Sequence, residues 1–395
     1  MSAARVLGAI AALLLVLAAG LWVGGHPATM PPPLRDVFVD EAGGLTAEAS
    51  ELIEDNYYRS VQPEELTDAG LQGMVRGLRR RYRDRFSEYF SAAMLARFNE
   101  EIEGRFSGIG LSVVGVEDGL RVVQVFKRSP AARAGIVPGE TIVSAGGRSL
   151  AGLGTNAATA LIKGPEGTEV TIGVQPRGGG EPRRERLTRA EIAVPVIDSE
   201  LEALGGEKLG YVRLAAFSSG AHGALRRAVR RLQRRGAAGL ALDLRANGGG
   251  LLDEAVLSAG VFLPEGTTVV TTDSRSQGKA TYEAKGGKLP SLPTVVLIDR
   301  GTASAAEILA AALADEAGAT IVGGRSFGKG VFQQEIGLAN GGALKLTVGE
   351  YFTPNGDNLA GAGIRPDIRS RDLPRTPRFD EARERALGVL AEKTG

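Results

Sequence analysis

Thr294-Val295-Val296-Leu297-Ile298-Asp299-Arg300-Gly301-Thr302-Ala303-Ser304-Ala305-Ala306-Glu307-Ile308 reads as a short apolar strand, a polar turn and the head of an apolar helix. The same texture continues on both sides. Leu209 to Leu214 is strand-like, a helix runs to Arg235, and Gly239 to Leu244 is strand-like and followed by a helix; beyond the quoted stretch Thr320 to Gly323 is strand-like again. Strands alternating with helices predict an α/β fold for a core over residues 187–372.

Ser304 stands where that strand-to-helix turn meets the helix, whose first N–H groups lack intrahelical partners and can receive an oxyanion; Ala305 is the natural donor. A hydrolytic serine needs a base, usually histidine. Of the 2 histidines, His26 closes the N-terminal apolar segment and His222 opens an arginine-rich helix away from any catalytic-looking turn. Lys329, in Phe327-Gly328-Lys329-Gly330, is the base that remains, giving the Ser-Lys form of the triad logic. Lysine acts so only when neutral, which requires burial and a lowered pKa. Flanking glycines let the chain fold tightly around it. The plainer readings are a helix N-cap for Ser304 and a surface lysine on a glycine turn for Lys329.

Gln333 could orient the amine, but in an ideal strand its Cα would lie about 13 Å from that of Lys329, so this role needs a bend at Gly330. Asp315 shares the helix face of Ser304 about 16 Å away and reads as structural, or as supporting the lysine from a distance. A second turn, Leu242-Asp243-Leu244-Arg245-Ala246-Asn247-Gly248-Gly249-Gly250-Leu251, also joins a strand to a helix. Its Gly249 and Gly250 could aim a further N–H at the oxygen held by Ala305, although such turns bind phosphates as well.

At 395 residues and 43% hydrophobic, the chain can fill two or three cores. The absence of cysteine excludes disulfides, a thiol nucleophile and thiolate zinc sites, and no metal or cofactor is expected. A net charge of +1 gives no electrostatic case for nucleic acid. Val6 to Gly25 is uncharged and mostly apolar, and as a helix would span about 30 Å, the thickness of a hydrocarbon core. It predicts over residues 1–30 a membrane anchor, or a signal peptide cut near Ala18-Ala19-Gly20, with Arg5 inside and the remainder periplasmic or otherwise extracytoplasmic.

After the Pro31-Pro32-Pro33 spacer, residues 31–105 read as a helical cap, with Leu52, Ile53, Tyr57, Leu71, Met74 and Leu78 at helical spacing. Residues 106–186 change to short β-like runs such as Leu120 to Phe126 and Glu169 to Val174. A charged C-terminal tail over 373–395 carries a short helix near Glu381 to Ala391. Arginine-dense stretches at Arg76 to Arg85 and Arg226 to Arg235 read as solvated helix faces, the second set opposite the apolar stripe Ala221, Leu225, Val229 and Leu232.

Taken together, these motifs resemble the C-terminal processing (tail-specific) serine peptidases over about residues 45–370. Ser304 matches the nucleophile of the family's Ser-Ala-Ser-Ala-Ser-Glu-Ile-like motif, Lys329 its Phe-Gly-Lys-Gly base, and Gln333 the glutamine assigned to the triad in some members. The turn at Gly248-Gly249-Gly250 is similar to an Asn-Pro-Gly-Gly segment supplying an oxyanion N–H, and Tyr351-Phe352-Thr353-Pro354-Asn355-Gly356 with Gly363-Ile364-Arg365-Pro366-Asp367 to the closing signature. This chain departs at Thr302 and Ala306, where serines are common, and at Gly248, where proline is common; the last would loosen the oxyanion turn.

Residues 106–186 resemble a PDZ domain, with Phe106-Ser107-Gly108-Ile109-Gly110-Leu111 at the carboxylate-binding loop and Pro138-Gly139-Glu140-Thr141-Ile142 at an internal turn. Gly108, Ile109, Gly110 and Leu111 would then meet a peptide's terminal carboxylate and apolar last side chain. A glycine turn in any small β-domain is the alternative. The resemblance implies a ClpP/crotonase-like core with an inserted PDZ domain, and a serine endopeptidase that cleaves proteins with flexible apolar C-termini near those ends. Two rivals are a catalytically inactive PDZ adaptor and a crotonase-type acyl-CoA enzyme.

Overall fold

The structure is a computed structural model describing residues 41–370 and 380–395. The apolar segment 6–25, with the anchor or signal expected there, and the proline spacer lie outside the described residues. Cα packing separates two compact units: one takes the described residues up to Ser91 with Ile336–Leu346, the other Ala92–Glu335 and Thr347 onward.

In the first unit, helix α1 (Glu41–Asn56) precedes α2 (Pro63–Tyr82). Pro63 opens α2, where its missing N–H is no loss; Glu64 and Glu65 follow, and Arg79, Arg80 and Arg81 close it, as the helix dipole favours. Strand β1 (Glu88–Phe90) pairs antiparallel with residues 343–345. The apolar positions expected at helical spacing do not form this unit's core: Leu52, Ile53, Tyr57, Met74 and Leu78 are exposed, and Val75, Tyr89 and Phe90 are buried.

The second unit starts with α3 (Ala92–Glu103) and β2 (Arg105–Gly108). Next come β3 (Leu111–Val116), β4 (Gly119–Val125), the single turn α4 (Pro130–Arg133), β5 (Thr141–Ala145), β6 (Arg148–Ser149), α5 (Thr155–Ile162), β7 (Glu169–Gln175) and β8 (Arg183–Thr188). These make an antiparallel sheet in the order β3-β4-β5-β7-β8 around Leu120, Ile142, Leu150, Ile172 and Val174, with β3 at its edge. Strand β9 (Ala190–Ala193) returns to pair with β2, forming a two-stranded neck.

Beyond the neck run β10 (Ile197–Leu204), β11 (Glu207–Leu214), α6 (Ala221–Arg234), β12 (Gly239–Asp243), α7 (Leu252–Ala259), β13 (Thr268–Ser274) and β14 (Gly278–Glu283). Then follow β15 (Thr294–Ile298), α8 (Ala305–Ala317), β16 (Thr320–Gly323), β17 (Val331–Gly337), β18 (Ala343–Phe352), β19 (Ile368–Arg369) and α9 (Glu381–Thr394). The central sheet has the order β10-β11-β12-β15-β16-β19, parallel from β11 to β19. Its strands are apolar on both faces because both are covered. Val212, Leu214, Leu240, Leu242, Val296, Ile298 and Ile321 meet helices α6, α7 and α8. Their alternates Leu209, Tyr211, Ala241, Val295, Leu297 and Val322 meet α9. Truncating one of these leucines to alanine would cost about 2–5 kcal/mol.

The helix expected inside a charged C-terminal tail is a structural layer instead. Ala386, Leu387 and Leu390 of α9 are buried against the sheet, while its charges line the other side. The core therefore continues beyond residue 372.

Candidate active site

Ser304 ends the turn between β15 and α8 at φ 56° and ψ −121°, among the few non-glycine residues at positive φ. An N-cap residue ordinarily has extended backbone. This one sits in a sparsely populated region that costs about 1–3 kcal/mol.

The turn is over-determined by hydrogen bonds. Asp299 Oδ1 accepts the N–H of Ala246 at 2.9 Å, of Gly301 at 2.8 Å and of Thr302 at 3.1 Å. Thr302 is fully buried and its hydroxyl donates to Leu244 O at 2.8 Å. Threonine thus supplies here the hydroxyl that a serine would, so that departure from the family motif leaves the bond intact. Ala303 N–H donates to Asn247 O at 3.0 Å, linking this turn to the one after β12.

Gly249 lies against the serine. A Cβ there would stand 2.8 Å from Ala303 O, 2.9 Å from Ser304 Cβ and 3.0 Å from Ala305 N, and its φ is 100°. Its N–H, expected at the oxyanion position, is given to Asn247 Oδ1 at 2.9 Å. The cause is Asn247, fully buried, whose Nδ2 donates to Leu214 O at 2.8 Å and so turns Oδ1 toward Gly249. Gly250, at φ 141°, bridges to Phe217, and Phe217 N–H donates to Gly249 O at 2.9 Å. Ala305 is the first residue of α8. Gly248 has neither a positive φ nor any atom within 4 Å of a would-be Cβ, so the turn is held by its neighbours.

Lys329 is half-buried between two glycines pressed on the segment 358–363. A Cβ at Gly328 would lie 2.8 Å from Gly363 N; one at Gly330 would lie 2.4 Å from Ala360 N. Phe327 N–H donates to Thr302 O at 2.9 Å, which ties the lysine loop to the serine turn. Ser326 N–H donates to Ile364 O at 3.1 Å, so the closing signature acts as the lysine loop's backing.

One residue of the serine motif joins both loops. Glu307 is fully buried. Its Oε2 accepts the N–H of Ser304 at 3.0 Å and of Lys329 at 2.9 Å; its Oε1 accepts Ser326 Oγ at 2.5 Å and Gly328 N–H at 2.7 Å. The signal was available, because Ser304-Ala305-Ala306-Glu307 has the S-x-x-E spacing of a capping box. Beside it Tyr351 is buried with no hydrogen-bond partner for its hydroxyl among the described residues. Burial, then the charge of Glu307, raises that phenol's pKa above the ordinary value.

The remaining candidates are held in different places. Gln333 is on β17, and its Nε2 donates to Thr347 Oγ1 on β18 at 3.2 Å. Lys329 and Gly330 precede β17, so the run between lysine and glutamine is not one ideal strand. Asp315 accepts the N–H of Asn355 at 3.4 Å and braces the turn after β18; burial raises its pKa. His222 Nδ1 lies 2.8 Å from Glu254 Oε2, and that carboxylate also accepts the N–H groups of Gly220 and His222. The histidine belongs to the capped start of α6.

In the β-rich module, Gly110 has φ 82° and a Cβ there would strike Ser129 Cβ at 2.2 Å, so only glycine fits. Gly108 has no positive φ and only ordinary contacts. Ile109 is buried, and Leu111 starts the edge strand β3. Glu140, in the expected internal turn, accepts both arms of Arg183 at 2.5 and 3.0 Å.

Among the described residues no cluster of His, Cys, Asp and Glu could hold a metal ion. Residues 208–370 match peptidase family S41, and residues 121–176 match the PDZ domain. The chain is 32% identical over 334 residues to the carboxy-terminal processing protease CtpA of Bacillus subtilis, covering 84% of this chain and 70% of that protein. It is 33% identical over 330 residues to CtpB of the same organism, covering 83% and 68%. The solved photosystem II D1 C-terminal processing protease aligns with a TM-score of 0.50 and 28% identity, over 90% of this chain and 98% of that one. The chain therefore belongs to peptidase family S41, as a carboxy-terminal processing serine protease that carries a PDZ domain.

Proposed function

We propose that Ser304 is the nucleophile and Lys329 the general base of this protease. The observation that carries this reading is the strained backbone of Ser304 fastened, through the one carboxylate of Glu307, to the loop that bears Lys329. A residue that merely capped α8 would gain nothing from the strain, whereas a nucleophile needs its hydroxyl turned out of the helix. Neutral Lys329 takes the Ser304 hydroxyl proton as Oγ bonds to the scissile carbonyl carbon. The oxyanion is received by the N–H groups of Ala305 and Gly250, with Gly249 forming the wall that no side chain could occupy. The lysine ammonium then protonates the departing amine, and water repeats the sequence on the acyl-enzyme. Gln333, whose Nε2 is given to Thr347, has its carbonyl oxygen left to accept from the amine as a positioning residue.

Substrate choice is assigned to the module over 106–186, which follows a cap over 31–105 and precedes the core along the chain. An extended peptide can add to the free edge of β3, with its terminal carboxylate at Gly108, Ile109, Gly110 and Leu111. The substrates are proteins with flexible, apolar C-termini, and the enzyme works outside the cytoplasm, held to the membrane through residues 6–25. Incubating the chain with an unstructured protein, beside the Ser304→Ala variant, tests the reading by mass spectrometry. Fragments should form only with the wild type, and amidating the substrate's C-terminus should weaken binding more than turnover. Cleavage undiminished by Ser304→Ala would refute it.

A further inference from the structure

The carboxyl ends of β12, β15 and β16, from which the Ser304 and Lys329 loops spring, wall a cavity of about 790 Å³. The loops at these strand ends carry the candidate catalytic residues, and the cavity volume is that of a small-molecule site. Its wall is arginine-rich. Arg300 follows β15, Arg325 follows β16, Arg365 lies on the approach to β19 and Arg369 on that strand. Arg245 also lines it but is already committed, to Asp243 and Asp380 at 2.7 Å each. Asp299, the single carboxylate among the described lining residues, spends Oδ1 on the amides of the serine turn.

The other four guanidiniums are exposed and make no ion pair among the described residues. Four like charges brought to one cavity from separate segments repel one another, and a bound polyanion reverses the sign of that contribution. Arginine's planar fork matches phosphate oxygens two at a time. Convergence on a compact cavity suits a phosphate group better than the spaced carboxylates of an extended acidic peptide. We propose that this cavity is a phosphate-binding site distinct from the peptide-cleaving centre, taking either a free oligophosphate or the phosphate of an anionic lipid headgroup. It rests on Arg300, Arg325, Arg365 and Arg369 and does not depend on the roles proposed for Ser304 and Lys329.

Calorimetric titration of the full chain in neutral detergent tests this, with pyrophosphate and glycerol 3-phosphate as probes and sodium chloride matching the ionic strength. Saturable one-to-one binding is expected, weakened about tenfold or more in Arg325→Gln/Arg369→Gln. The control Arg227→Gln/Arg230→Gln, on the solvent side of α6, should bind as the wild type does. The melting temperature should rise with pyrophosphate only where binding is seen, which separates the site from general phosphate stabilisation. Tighter pyrophosphate points to a free oligophosphate, and tighter glycerol 3-phosphate to a headgroup. Absence of saturable binding, equal affinity in the cavity variant, or stronger binding of hexa-aspartate than of either phosphate would overturn the proposal.

Discussion

The backbone N–H groups of Ser304 and Lys329 end on the same oxygen, Glu307 Oε2, at 3.0 and 2.9 Å. The candidate nucleophile and base therefore share one buried anchor on the first turn of α8. Removing it would leave several buried donors unpaired, at about 1–3 kcal/mol each.

Glu307→Ala should accordingly lose about 3 kcal/mol or more of stability, measured by urea denaturation. Glu307→Gln keeps the shape but turns an NH2 toward groups that are themselves donors. In any fraction that stays folded, peptide cleavage should fall about 100-fold, mostly in kcat, because the two loops lose their common register. A Glu307→Gln enzyme with normal kcat would show that the shared anchor is dispensable.

Gly249 and Gly248 should respond oppositely to alanine. At Gly249 the new Cβ meets Ala303 O at 2.8 Å and Ser304 Cβ at 2.9 Å on a backbone of φ 100°, so activity should collapse. At Gly248 the space is open and φ is not positive, so alanine should leave activity intact and add about 0.4–1 kcal/mol of stability by restricting the unfolded chain. Equal effects at the two positions would contradict the packing described.

The PDZ module should carry an acid-sensitive clasp. The two-pronged bond from Arg183 holds the Glu140 carboxyl below the ordinary glutamate value, against the opposing effect of burial. A carboxyl depressed in the native state contributes stability that is fully present above its unfolded value and lost as pH falls through the native one. Calorimetric scans from neutral pH downward should show Glu140→Gln less stable than wild type above about pH 4.5, with the gap closing below it. A constant gap would mean that the clasp does not titrate as described.

Much of the fold could be read from the strands. Leu209 to Val212, Gly239 to Leu242 and Val295 to Ile298 carry no charge on either face because both faces of the sheet are covered, and α9 supplies the second cover. Charge dominates the sequence of that helix and gives it the texture of a tail, while the face it buries is small: Ala382, Ala386, Leu387 and Leu390. Ser304 and Lys329 stood out because turn chemistry and a missing histidine pointed to them. Glu307 did not, since a charged residue on a helix ordinarily faces water, and only the fold shows four donors converging on it. The direction of the Gly249 N–H was likewise hidden, because it depends on how Leu214 orients Asn247.

The central claim is that a lysine does the work of a histidine here, and the kcat/KM of Lys329→Ala set beside that of His222→Ala tests it most directly. Lys329→Ala should fall by several orders of magnitude, as Ser304→Ala does, because the members of a catalytic unit fail together. His222→Ala, which loses only the imidazole held by Glu254, should stay within a few-fold of wild type. An active Lys329→Ala enzyme, or a His222→Ala enzyme as crippled as Ser304→Ala with its fold intact, would contradict the account.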